Sequence, residues 1–168
     1  MNAAASAFEF IRHWPQGTPK DGMAVLDFWR REGALANEVV AQERLREVVL
    51  HAVDASGAVA AVCTAAAMTL PRLGQPMYYY RCFVGRKWRS TMVAVRMVKR
   101  AQGVLEEYAR MHDFPCIGVL LELENERFDQ KWRMPVWPWG GFTYIGKSQR
   151  GHELRVAYFR GARLKKSP

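Results

Sequence analysis

Two acidic side chains and a knot of basic ones are the residues with chemistry to offer. Glu122 and Glu124 close the apolar run Ile117 to Glu124. Residues two apart on an extended strand share a face. Gly118, Leu120, Glu122 and Glu124 therefore share one side, apolar at its start and acidic at its end, and Ile117, Val119, Leu121 and Leu123 share the other. Carboxylates in that position can take a proton from a substrate; they can equally stand in solvent at a frayed strand end. Earlier, Gly85-Arg86-Lys87-Trp88-Arg89-Ser90-Thr91 sets three cations and two hydroxyls just before a helix. A helix start leaves backbone N–H groups unpaired and carries partial positive charge. Basic side chains on its approach make a candidate phosphate site.

These two groups belong to one strand–turn–helix–strand unit. Tyr78 to Val84 reads as a strand and Met92 to His112 as a helix. Ala94, Val98, Ala101, Leu105 and Tyr108 recur at three- and four-residue spacing, with Met97, Val104 and Met111 beside them. Arg96, Lys99, Glu106, Glu107 and Arg110 fall mostly on the opposite side. That is one apolar stripe facing a sheet. Ser90 or Thr91 can cap the start, and the residue before Pro115 resists helical geometry and ends the run. A strand, a helix and a second strand predict a parallel pair joined by a crossover. In such a pair ligands bind at the carboxyl ends of the strands, where Glu122 and Glu124 stand.

The flanking chain supplies more sheet. Phe8 to Arg12 alternates weakly as a first strand, and Trp14 to Pro19 is a turn. Asp21 is expected to cap a helix over Met23 to Arg31; a second helix is expected from Leu35 or Asn37 to Arg46. Val48 to Val53 and Ala58 to Met68 flank Asp54-Ala55-Ser56-Gly57, a hairpin composition. Asn125 to Arg133 reads as a short helix. Met134 to Phe142, with two prolines and two tryptophans, reads as a rigid aromatic loop. Phe142 to Gly146 and Leu154 to Phe159 make a last strand pair. The tail from Arg163 to Pro168 is expected to be mobile.

Bulk properties narrow the classes. The chain has 168 residues, and 49% of them are apolar, which suits one domain, 1–168, with its own core. No apolar run is long enough for a bilayer-spanning helix. Met1 to Ser6 lacks the charged and apolar segments of a secretion signal. Cys63, Cys82 and Cys116 lie in apparent strands without metal-ligand spacing, as reduced thiols of a cytoplasmic protein would. His13, His51, His112 and His152 share no spacing and suggest no metal. The net charge of +9 suits a polyanionic partner: nucleic acid, an acidic carrier protein or a phosphorylated cofactor. The cations are dispersed along the chain, and a solvated basic surface accounts for them as well.

The order of elements is strand, two helices, three antiparallel strands, long helix, strand, short helix and two strands. It resembles the GNAT acyltransferase fold over nearly the whole chain. Val84, then Arg89-Ser90-Thr91-Met92-Val93-Ala94, then Leu105, resembles the family's acyl-CoA loop. That loop runs Arg or Gln, two residues, Gly, one residue, Gly or Ala. Arg89 and Ala94 fit; Met92 takes the place of the first glycine, the residue that lets backbone approach phosphate most closely. Glu124-Asn125, followed by Gly141-Phe142-Thr143-Tyr144-Ile145-Gly146, resembles the family's asparagine, short helix and Gly-Phe strand entry. Where many relatives carry a tyrosine that protonates the leaving thiolate, this chain has Trp137.

The resemblance implies an α/β (α+β) domain: a mostly antiparallel central sheet, with a parallel strand pair splayed around an acyl-CoA cleft and helices on both faces. It implies direct transfer of an acyl group, acetyl first, from acyl-CoA to an amine in a ternary complex. Phe83 and Val84 would pair with the pantetheine amides. The N–H groups from Arg89 through Ser90, Thr91, Met92, Val93 and Ala94 would take the pyrophosphate, with Arg86, Lys87 and Arg89 adding charge. The thioester would lie near Glu122, Glu124 and Asn125. Glu124 and Glu122 are the candidate bases, and Arg81 is the expected ion-pair partner that would make one of them structural. Tyr144, Tyr108 or water would replace the missing acid. The tyrosine triplet and Trp132, Trp137 and Trp139 either line an acceptor pocket or pack as core. Three alternatives stand beside this: a longer-chain or carrier-protein-dependent N-acyltransferase, a non-catalytic module of the same fold, and nucleic-acid binding. Relatives are often dimers, so a homodimer is among the states implied.

Overall fold

A computed structural model describes residues 7–113, 115–124 and 132–166. The strands are β1 (Glu9–Arg12), β2 (Val48–Val53), β3 (Val59–Leu70), β4 (Gln75–Val84), β5 (Gly118–Leu123), β6 (Thr143–Lys147) and β7 (Glu153–Tyr158); the helices are α1 (Pro19–Glu32), α2 (Glu38–Leu45) and α3 (Val93–His112). The seven strands hydrogen-bond in the order β1-β2-β3-β4-β5-β7-β6. β4 and β5 run parallel, Tyr78 opposite Val119 through Tyr80 opposite Leu121, as the strand–helix–strand pattern predicts. β1–β2, β2–β3, β5–β7 and β6–β7 are antiparallel. The chain divides into two compact units. One holds the residues up to Ala65 with Cys82–Val104; the other holds Ala66–Arg81 and the residues from Leu105 onward.

In the first unit, β2 (Val48-Val49-Leu50-His51-Ala52-Val53) is buried at every position, as a largely apolar strand covered on both faces is. Val25, Phe28 and Trp29 of α1 pack with Val48, Val53, Val59 and Val62 to form its core. α1 begins earlier than the composition suggested. Thr18 is the cap: its hydroxyl accepts from Asp21 N, and Pro19 occupies the first helical position, where a missing N–H costs nothing. Asp21 thus sits in the first turn rather than at the cap. α2 is capped by Asn37, whose side chain accepts from Val40 N at 3.0 Å. The Asp54 carboxylate accepts from Ser56 and Ala58 N–H groups and so closes the β2–β3 hairpin.

In the second unit, Met77, Ile117, Leu120, Leu154 and Val156 form the core. β4 starts at Gln75, three residues before the Tyr78 start expected from the sequence. Gln75 is buried, and its side-chain amide donates to Lys165 O (3.0 Å) and accepts from Lys165 N (2.7 Å). Lys165 belongs to the tail from Arg163 to Pro168; Ser167 and Pro168 lie outside the described residues. α3, whose residues up to Val104 belong to the first unit, buries Val93, Met97, Val98, Ala101 and Leu105, while Met111 is exposed. The stripe is therefore centred one residue away from Ala94. The helix proposed for Asn125 to Arg133 falls mainly on 125–131, outside the described residues.

Candidate functional site

The second unit holds a half-buried polar cluster at the carboxyl end of β5. Glu122 and Leu123 extend past Leu121, the last β5 residue paired to β4. Opposite them the β6–β7 hairpin turns through Ser148-Gln149-Arg150-Gly151-His152. Ser148 N donates to His152 O at 2.8 Å, Gly151 N donates to Ser148 O at 2.9 Å, and His152 N donates to Ser148 Oγ at 3.3 Å. Gly151 takes φ 83°, the left-handed backbone this turn requires. The turn aims Arg150 and His152 at Glu122. The Arg150 Nη2 group donates to Glu122 Oε2 at 2.8 Å and to Glu124 Oε1 at 3.1 Å. Tyr79 Oη donates to Glu122 Oε2 at 2.7 Å, and His152 Nδ1 lies 3.1 Å from Glu122 Oε1.

Glu122 is enclosed, its side chain 8% exposed against 64% for Glu124. Burial works to raise its pKa, but the hydrogen bonds from Arg150, Ser148 and Tyr79 outweigh it and hold the carboxyl at about 2. Tyr79, half-buried and bonded to that carboxylate, is pushed up to about 12 and keeps its proton. Glu122 at neutral pH is an anion with its lone pairs occupied, a poor base by its own titration. The ion-pair partner is Arg150, not Arg81, whose guanidinium lies 4.7 Å over the Tyr79 ring. The sequence placed the two carboxylates correctly at a strand end. It missed Arg150 and His152, which reach Glu122 only through the β5–β7 register, while Tyr79 arrives from β4 through its parallel pairing with β5.

The other expected residues fall elsewhere. Tyr144 lies on β6 opposite Arg155, its ring 5.9 Å from that guanidinium, with no hydrogen bond to Glu122 or Glu124 among the described residues. Tyr108 stacks on His112 at 4.3 Å. Trp137 is 1% exposed; its Nε1 donates to Trp132 O, and it stacks on Trp139 and under Arg155. It is a packing residue. Tyr78 and Tyr80 are buried as well, which leaves Tyr79 as the triplet's contribution to the polar cluster. Asn125 lies outside the described residues.

In the first unit, the basic turn is one turn of 3-10 helix, Arg86–Trp88, anchored by buried Trp88. Gly85 N donates to Ala60 O, and Arg86 N donates to Glu32 Oε2 at 3.1 Å. Lys87 Nζ stands 3.6 Å from Asp54 Oδ2, and Arg89 Nε donates to Val84 O at 3.3 Å, its guanidinium 5.9 Å from the Phe83 ring. Thr91 Oγ1 donates to Trp88 O and accepts from Val93 N, so Thr91 rather than Ser90 caps α3. Arg86, Lys87, Arg89, Ser90 and Met92 are exposed, and Ala94 is half-buried. The turn thus presents its cations to solvent while carboxylates of its own unit already engage the Arg86 N–H and Lys87.

Two further groups are settled by burial. His13 Nε2 and His51 Nδ1 lie 2.7 Å apart, both rings buried. Burial lowers both pKa values, that of His51 to about 4 with His13 as a second cause. Cys116 is buried and its thiol is pushed up to about 11, which makes it inert. Among the described residues no group of three or more His, Cys, Asp or Glu side chains is placed to hold a metal, and no helix is long and apolar enough to cross a membrane.

Solved structures share this architecture. The GNAT domain of S. lividans PAT matches with a TM-score of 0.62 at 11% identity, over 95% of this chain and 99% of that one. A GNAT-family acetyltransferase from Streptococcus pneumoniae matches at 0.58 and 12% identity, over 91% of this chain and 100% of that one. One from Listeria monocytogenes matches at 0.53 and 18% identity, over 95% and 99%. No family model matches the sequence, and neither does any curated protein. The chain has the GNAT fold and is a divergent example of it.

Proposed function

We propose that this chain is an N-acyltransferase that moves an acyl group, acetyl first among candidates, from acyl-CoA to an amine. The observation that carries the proposal is the GNAT fold over nearly the whole chain, with a half-buried, hydrogen-bonded polar cluster at the carboxyl end of β5. Fold alone does not fix chemistry; the cluster adds groups able to manage a proton. In this reading the turn from Arg86 to Ala94 receives the pyrophosphate. Arg86 and Arg89 supply charge-assisted contacts, the N–H groups toward Ala94 supply donors, and main-chain groups at Phe83 and Val84 pair with pantetheine. Arg89 must leave the Val84 carbonyl for that pairing, a weak 3.3 Å contact to give up.

The work of such an enzyme is to hold thioester and amine together and to take one proton from the ammonium. The thiolate is a good leaving group, so the loss of a tyrosine acid at Trp137 slows the step rather than forbidding it. Incubation with acetyl-CoA and a library of polyamines, amino acids and free N-terminal peptides, with thiol release followed over time, tests the reading. Amine-dependent release supports it. Binding of acyl-CoA without release would favour the second reading, a non-catalytic module. That reading draws on the full occupation of Glu122 by Arg150, Tyr79 and His152.

A further inference from the structure

His152 is the group in the polar cluster whose second nitrogen has nothing to do. Its Nδ1 lies 3.1 Å from Glu122 Oε1. A carboxylate accepts and does not donate, so a neutral imidazole in that contact carries its proton on Nδ1. Nε2 is then a bare lone pair, with no hydrogen-bond partner among the described residues. The ring is 30% exposed, enough to meet water or a substrate. Its backbone is fixed by both hydrogen bonds to Ser148. Glu122 is fixed in turn by Tyr79 and Arg150. A base oriented by a buried, ionised carboxylate is a recurring solution for proton removal near neutral pH.

We propose that His152, not Glu122 or Glu124, is the general base of the reaction, with Glu122 as its positioning residue. The proposal rests on the acyltransferase reading above. Nε2 takes the proton that the substrate ammonium must lose. The amine lone pair forms the C–N bond at the thioester carbonyl, and the adduct loses its second proton to water and expels the thiolate as the C–S bond breaks. The imidazolium returns its proton to the thiolate. Among the described residues, the charged and titratable groups of the cluster around the ring are Glu122 from β5, Glu124 just beyond it, Arg150 from the same turn and Tyr79 from β4; Glu153 is turned to Arg155.

The test has two arms. In the first, nitrogen-15 NMR of the full chain reads the His152 tautomer: the proposal expects the Nδ1–H form, and Glu122→Gln should populate the Nε2–H form. A dominant Nε2–H form in the unmodified protein would overturn the dyad whatever the activity. In the second, acetyl-CoA and the amine library are the probes. His152→Asn should lower kcat by about a hundredfold or more, remove the imidazole limb of the kcat/KM–pH profile, and leave the Kd for acetyl-CoA within twofold. An active wild type with an equally active His152→Asn overturns His152 alone. Failure of the wild type to bind acetyl-CoA or release thiol overturns the acyltransferase reading, and the base role with it.

Discussion

Arg150 Nη2 lies 2.8 Å from Glu122 Oε2. The two come from a hairpin turn and a strand end, and between them they fix the electrostatics of the cluster. Arg150 is more than half exposed, so the pair is partly screened. Arg150→Ala should therefore lower the urea midpoint only slightly at neutral pH, mostly from leaving the enclosed carboxylate short of a donor. The sign with pH follows from Glu122, whose folded pKa of about 2 lies below its ordinary 4.5. Its contribution is present above about 4.5 and is lost as pH falls toward 2. Wild type and variant should thus converge in acid. Urea midpoints at two pH values check this.

The His13–His51 pair predicts a separate acid weakness. His51 has a folded pKa of about 4 against an ordinary 6.5, and burial is the main cause. Between those values the unfolded chain binds more protons than the folded one, so stability should fall as pH drops from about 6.5 to 4. His51→Leu should flatten that part of the profile while costing about 1–3 kcal/mol at neutral pH, since His13 loses its buried partner. Thermal unfolding across the window measures both effects.

Gly118 is required by a close approach rather than by its dihedral angles. A Cβ there would stand 2.4 Å from Ala157 O and 2.7 Å from Met77 Cε. The first is backbone in the β5–β7 ladder, where Gly118 faces Tyr158, and cannot swing aside. Gly118→Ala should destabilise by about 2 kcal/mol or more; an unchanged urea midpoint would refute the packing. From sequence this glycine merely completed an apolar strand face.

Trp137 illustrates what was legible and what was not. Element order, the parallel pair and the acidic strand end could be read because each is local: a period of two, a period near four, a turn composition. The positions of side chains in the loop from Trp132 to Phe142 could not, because buried Arg155 organises them from another strand. Arg155 donates to Met134 O at 2.8 Å and lies 4.5 Å over the Trp137 ring. Likewise Arg150 and His152 meet Glu122 only through β5–β7 pairing, in which Glu122 opposes Leu154; nothing in a stretch of polar turn residues announces that register. It follows that Trp137→Tyr, which restores the usual residue type, should not raise turnover, since the position is enclosed. Trp137→Ala should cost about 3–5 kcal/mol.

Acyl-CoA binding at the basic turn is the claim on which the functional account depends. The direct measurement is calorimetric titration of the protein with acetyl-CoA, coenzyme A and a longer acyl-CoA. Arg86→Gln, Arg89→Gln and Met92→Gly would be titrated alongside. The account predicts saturable binding by the wild type, weakened about tenfold by each charge removal and strengthened by Met92→Gly, which lets backbone approach the pyrophosphate. Absence of binding to all three ligands, or binding indifferent to Arg86 and Arg89, would contradict it.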